Sequence, residues 1–178
     1  MPNSTASKPA LRKLPFAALV AMLLALPFGT SGAAAKDFQL GAPVVATISL
    51  PDAWSPNVTE RGVEATTADD EIYVAVNVAS ARNVEDAMKQ ALAYLVSQGV
   101  EIDPSTQRQR EMTINGMPTL FLGYSGKDSE GEQAEISVGI LIANPETVLI
   151  LSYWGSKDGE KTYASELGAI LQSLAKVQ

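Results

Sequence analysis

The sequence predicts an α+β fold: a three-layer α/β/α sandwich with a central antiparallel sheet of about six to seven strands and two main helices, near 83–98 and 158–175. Three observations carry that expectation. Alternating apolar runs separated by turn residues recur along the chain, two stretches have helical periodicity, and the run TVLILSYWG at 147–155 is apolar on both faces. A strand of that last kind must be covered on both sides, which takes three layers.

The first element is not part of the sandwich. Lys8, Arg12 and Lys13 precede the apolar run FAALVAMLLALPF at 16–28, and AAA at 33–35 supplies small residues before Lys36. Residues 1–35 therefore read as a secretory signal peptide cut after Ala35, with 36–178 as a single domain. An uncleaved membrane anchor is the alternative, because no charge falls between Leu14 and Ala35. Against it, Pro27, Gly29, Thr30, Ser31 and Gly32 dilute the second half of that window. The absence of cysteine excludes both an acyl-anchored lipoprotein and a disulfide framework.

Of 178 residues, 143 remain after the cut, enough to bury a core without covalent staples. The leader carries three of the 13 basic residues and none of the 20 acidic ones, so the mature chain has 10 against 20 and a net charge of −10. Such a chain repels nucleic acid and anionic lipid. Neither nucleic-acid binding nor stable membrane insertion after leader removal is expected.

PVVATISLP at 43–51 reads as a strand closed by Pro51, and DAWSPN follows as a turn whose Trp54 folds back on the core. A short strand in RGVEATTADD leads to EIYVAVNVAS at 71–80. There Ile72, Val74, Val76 and Val78 share one face, while Tyr73, Ala75, Asn77 and Ala79 share the other. Asn83 fits an N-cap, Glu85 and Asp86 suit the first helical turn, and Val84, Ala87, Met88, Ala91, Leu92 and Leu95 form one helical stripe that Gly99 can end.

After a loop around Pro104, a polar strand begins near Gln107. Asn115-Gly116 then suits a type I′ hairpin turn, because both residues tolerate positive φ. Three further runs, around 117–124, 132–143 and 147–155, complete a four-stranded antiparallel meander with turns at GKDSEG and NPET. The last helix takes its stripe from Tyr163, Leu167, Ile170, Leu171 and Leu174.

The order ISLPDAW, polar strand, strong strand, amphipathic helix, INGMPTLFLGY, long hairpin and VLILSYW before a final helix resembles the PsbP-like α/β sandwich superfamily, which takes in PsbP, DcrB-like periplasmic proteins and Ran-release factors. The resemblance spans 43–176 and rests on Pro51, Trp54, Gly116, Pro118, Tyr124 and Tyr153, which are turn formers and core aromatics. It implies a non-enzymatic module that binds another protein, here an envelope protein, or assists assembly. DcrB-type members are often lipid-anchored through a cysteine; this chain has none, which favours a soluble periplasmic or secreted module.

Chemistry in the residues is sparse. With no histidine and no cysteine, Ser-His-Asp and Cys-His catalysis and zinc sites built from those residues are excluded, and no phosphate loop or dinucleotide fingerprint is present. GYSGKD at 123–128 lacks the spacing of a nucleophile elbow. No enzyme activity and no cofactor are expected. Two acidic turns, Asp69-Asp70-Glu71 and Asp128 with Glu130, offer oxygen ligands for a hard cation, so a carrier of a small ligand or of calcium or manganese is the alternative function. Arg108 and Arg110 alternate on one strand face and are the candidate protein contact, set against a solvent-facing role as edge-strand guards.

Overall fold

A computed structural model describes residues 34–177. The basic start and apolar run of the expected leader lie outside them. Ala35, the last residue before the expected cut, is the first of β1 (Ala35–Leu40), whose neighbour Ala34 accepts a hydrogen bond from Asp52 N.

The chain continues through β2 (Ala46–Pro51), a 3₁₀ turn (Asp52–Trp54), β3 (Asn57–Val58), β4 (Gly62–Thr66), β5 (Ile72–Ser80), α1 (Val84–Ser97), β6 (Glu101–Ile114), β7 (Met117–Lys127), β8 (Gln133–Ile142), β9 (Thr147–Ser156), α2 (Lys157–Thr162), α3 (Ala164–Ser173) and β10 (Ala175–Lys176). Seven strands form one antiparallel sheet in the order β3-β4-β5-β9-β8-β7-β6, and a second sheet runs β1-β2-β10. The meander from β6 to β9 is as the sequence predicts. Asn115 and Gly116 sit at φ 48° and 79°, closing the β6–β7 hairpin where Ile114 pairs with Met117.

Alternation sorts the large sheet into two faces. Val63, Ala65, Ile72, Val74, Val76, Leu149, Leu151, Tyr153, Phe121 and Leu141 point to one side and pack against Phe38, Leu40, Ile48 and Leu50 of the small sheet, Trp54 of the 3₁₀ turn, and Leu167, Ile170 and the cap residue Leu174 of α3. The opposite side carries Tyr73, Ala75, Tyr124, Ile136, Val138, Ile150 and Trp154 beneath α1. From Val148 to Ser156, β9 is buried throughout, so the double-sided cover read from TVLILSYWG is present.

Three features depart from the sequence reading. β1 is absent from the strands the sequence predicts, because AKDFQL offers only Phe38 and Leu40 as alternating apolar residues. The strand ending at Pro51 lies outside the central sheet and, with β1 and β10, helps form the second cover. The last helix is two, broken at Tyr163, whose ring stands edge-on to Trp54 at 5.5 Å.

The helix ends follow their local chemistry. At the N-terminus of α1, Asn83 makes no side-chain cap; Ser80 accepts from Arg82 N one turn earlier. At its C-terminus Gly99, φ 91°, allows the paired bonds Gly99 N to Val96 O and Val100 N to Leu95 O, with Val100 and Leu95 packed together in the core. For α2, Ser156 Oγ accepts from Gly159 N.

Candidate binding cleft

The face beneath α1 is built from small side chains where the helix crosses the sheet edge. Ala87 and Ala91 from α1 stand over Ala79, Asn77 and Ser152, so helix and sheet do not close completely. A cleft of about 210 Å³ remains, lined also by Thr59, Arg61, Glu64, Tyr73, Gln90 and Tyr94.

The β4 strand places its key group. Val63 and Ala65 turn into the core, so Gly62, Glu64 and Thr66 face α1. A Cβ on Gly62 would lie 1.8 Å from Val76 O, so only glycine lets β4 approach β5 this closely. Glu64 pairs with Ala75, which puts Tyr73 two residues away on the same face, and the Tyr73 hydroxyl donates to Glu64 Oε2 at 3.0 Å. From the last turns of α1, Tyr94 donates to the same oxygen at 3.1 Å. Among the described residues, the other oxygen, Oε1, has only a 3.4 Å contact from Asn57 Nδ2.

Burial and the Glu64 charge both push the Tyr73 and Tyr94 hydroxyls up from their ordinary values, so both stay protonated donors. Arg61, the cation in the lining, donates from Nη1 to Gln90 Oε1 at 2.8 Å. Beyond Tyr94, Val96 stands 54% exposed beside a second, apolar recess lined by Leu92, Val100, Ile102, Pro104 and Tyr124.

The residues singled out from sequence lie elsewhere. Arg108 and Arg110 do share a face of β6, an edge strand, but it is the half-buried face that carries Ile114; Gln107, Gln109, Glu111 and Thr113 take the solvent. Arg108 Nη2 donates to Glu135 Oε2 at 2.9 Å and to Ser125 Oγ at 3.0 Å. Nearby, Tyr153 donates to Glu160 Oε1, and burial raises the Glu160 carboxyl above its ordinary value, with Glu135 adding to the effect.

The acidic turns use their carboxylates as turn and tie groups. Asp69 accepts from Glu71 N and from the Tyr163 hydroxyl, Asp70 takes φ 56°, and Glu71 bonds the Ser156 hydroxyl. Asp128 accepts from Glu130 N and Glu132 N. Among the described residues no three such groups converge as a metal site. Glu64 and Tyr94 escaped sequence reasoning; the available signal was a lone carboxylate on the helix-covered side of the alternating run GVEAT.

Sequence comparison gives no relative: no protein-family model and no curated protein matches. Solved structures do match. The solution structure of cyanobacterial PsbP (CyanoP) from Synechocystis sp. PCC 6803 superposes with a TM-score of 0.53 at 11% identity, covering 86% of this chain and 99% of that one. LpqN, involved in cell envelope biogenesis of Mycobacterium tuberculosis, gives 0.48 at 13% over 83% and 88% of the two chains. The Saccharomyces cerevisiae Ran-binding protein Mog1p gives 0.46 at 11% over 80% and 95%.

Helix, large sheet, and small sheet with its helices define an α+β sandwich of three layers. The chain has the PsbP-like α/β sandwich fold, as the strand and helix order implies.

Proposed function

We propose that the protein is an exported, non-enzymatic module that binds another envelope protein through the C-terminal half of α1. One observation carries this reading: Tyr94 and Val96, 41% and 54% exposed, stand on opposite flanks of the last turns of α1, Tyr94 lining the Glu64 cleft and Val96 the apolar recess. Exposed aromatic and apolar side chains, each bordering a recess on the same helix, are features that a partner surface can cover. The excess of acidic residues selects a basic partner surface. The leader supports export. The shared fold with a PsbP supports a domain organised for binding, and the missing histidine and cysteine leave few catalytic options.

The carrier alternative gains one observation in its small-ligand form, the cleft between α1 and the sheet. Its metal form gains none from the two acidic turns. A photo-cross-linking residue placed at Val96, with a control at exposed Ala169 on α3, tests the reading in the native host. A discrete adduct to an envelope protein from position 96 and none from 169 is expected. No adduct at 96, or identical adducts at both positions, refutes it.

A further inference from the structure

We propose that the cleft under α1 is a receptor for one cationic nitrogen group, an alkylammonium or alkylguanidinium, with Glu64 as its counter-ion and the Tyr73 and Tyr94 rings beside it. The proposal rests on the α1 flank being the binding face and names the chemistry recognised there.

Glu64 is oriented before any ligand arrives. Both tyrosine hydroxyls are spent on Oε2, which leaves Oε1 with acceptor capacity beyond its long contact to Asn57. Among the described residues, no lysine or arginine nitrogen lies within 4.0 Å of this carboxylate. Arg61, close enough in sequence to neutralise it, is instead tied to Gln90 across the cleft mouth. The site is thus a positioned negative charge with no lysine or arginine beside it among the described residues, in a recess lined by two tyrosines whose ring centroids are 6.1 Å apart, aromatic surface of the kind that suits a cation.

Other occupants fit less well. An anion would meet Glu64 and Glu60, which also lines the cleft. A neutral apolar group would desolvate the carboxylate and return nothing. The volume, about 210 Å³, is below the roughly 300–1,000 Å³ of sites for drug-sized ligands and suits a single extended chain. A lysine or arginine side chain of a partner and a free aliphatic amine share this chemistry.

The test titrates the full-length protein with butylammonium and butylguanidinium chloride, with 1-butanol as the uncharged counterpart, at fixed ionic strength, following the tyrosine ring signals by NMR. Both cations should shift the Tyr73 and Tyr94 signals saturably, and butanol should not. Glu64→Gln, which still accepts from both hydroxyls, should lose at least tenfold in affinity. Glu64→Asp keeps the charge and should retain weakened, saturable binding, which covers the case of a poorly folded amide variant. Equal binding of butanol, or unchanged affinity in a folded Glu64→Gln, overturns the proposal.

The cross-link at position 96 separates the two sources and the two readings. An adduct suppressed by excess butylammonium assigns the cation to a side chain of the partner. Amine binding that leaves the adduct intact assigns the site to a free amine. An adduct without any selective amine binding keeps the binding face and removes the cation site.

Discussion

Replacing Asn115 by Ala should cost more than any other single change at a surface turn of this protein, because the residue does two jobs. It occupies a left-handed conformation at φ 48°, and its side-chain nitrogen donates to the carbonyls of Leu174, Gln172 and Leu171 at 2.6, 3.0 and 3.1 Å. Those carbonyls belong to the end of α3 and are otherwise the orphan acceptors of a helix terminus. The amide has two hydrogens, so two good bonds hold at a time, together about 1–3 kcal/mol at roughly 0.5–1.5 each. Alanine in the left-handed region adds about 1 kcal/mol. The total is about 2–4 kcal/mol.

Urea unfolding at constant slope is the assay, with an expected fall in melting temperature of about 3 °C per kcal/mol for a domain of this size. Two companion variants separate the jobs. Asn115→Gly keeps the backbone conformation and loses the donors, so it should fall between wild type and alanine. Asn115→Asp keeps the side-chain shape and presents a negative charge to three carbonyl oxygens, so it should be at least as damaging as glycine. Wild-type stability in Asn115→Asp, or a loss below about 0.5 kcal/mol in Asn115→Ala, refutes the latch.

Further expectations follow from the same geometry. Gly62→Ala should cost about 1–3 kcal/mol and splay β4 from β5, so binding at the α1 cleft should weaken more than at a site away from that edge; an unchanged urea midpoint would contradict the 1.8 Å approach to Val76 O. Arg108→Glu places a third carboxylate beside Glu135 and near Glu160, and should destabilise by about 1–2 kcal/mol in this partly exposed setting, whereas Arg110→Glu should stay within about 0.5 kcal/mol. Arg110 alone is therefore the usable probe of a protein contact on β6; equal losses in both variants would refute the distinction. Because burial holds the Glu160 carboxyl above 4.5, the native state binds its proton more tightly than the unfolded chain. Stability should fall as pH rises from 4.5 through the native value, and Glu160→Gln should flatten that slope while preserving the acceptor for Tyr153. Asp69 is shifted the other way, by its Thr67 hydrogen bond first, so its contribution is lost only as pH falls below 3.8, outside that window.

What could be read from the sequence was local. Asn115-Gly116 announces its turn because the two residues that need positive φ are adjacent, and Gly99 announces the end of α1 for the same reason. The strand faces were legible because a period of two survives in VAVNVA and VLILSY whatever they pack against. The other half of Asn115 was not legible: its acceptors lie 56 to 59 residues further on, at a helix end that only the closed fold brings near. Glu64 and Tyr94 are 30 residues apart and meet through the crossing of α1 over the sheet. Arg108 misled in the opposite sense. Its alternation with Arg110 placed both on one face correctly, yet nothing nearby in sequence marks Glu135 as the partner that draws it inward.

One flank of the α1 face of the large sheet is built differently from the rest, and that difference separates stability from binding. The face against the small sheet and α3 interlocks Ile48, Leu50, Trp54, Leu149, Leu151 and Ile170, all at or below 2% exposure, so truncations there open cavities worth several kcal/mol, on the order of 2–5 for Leu or Ile to Ala. Under α1, Leu95, Ile136, Val138 and Ile150 are packed as tightly, but along the cleft flank the residues between helix and sheet are Ala79, Ala87, Ala91, Asn77 and Ser152, and the space they leave is kept rather than filled. Enlarging Ala87 or Ala91 to Leu would therefore find room where the same change on the other face would overpack. Such a variant should keep or raise the melting temperature while abolishing binding of an alkylammonium in the cleft. That combination would be hard to obtain from a face whose role was packing alone.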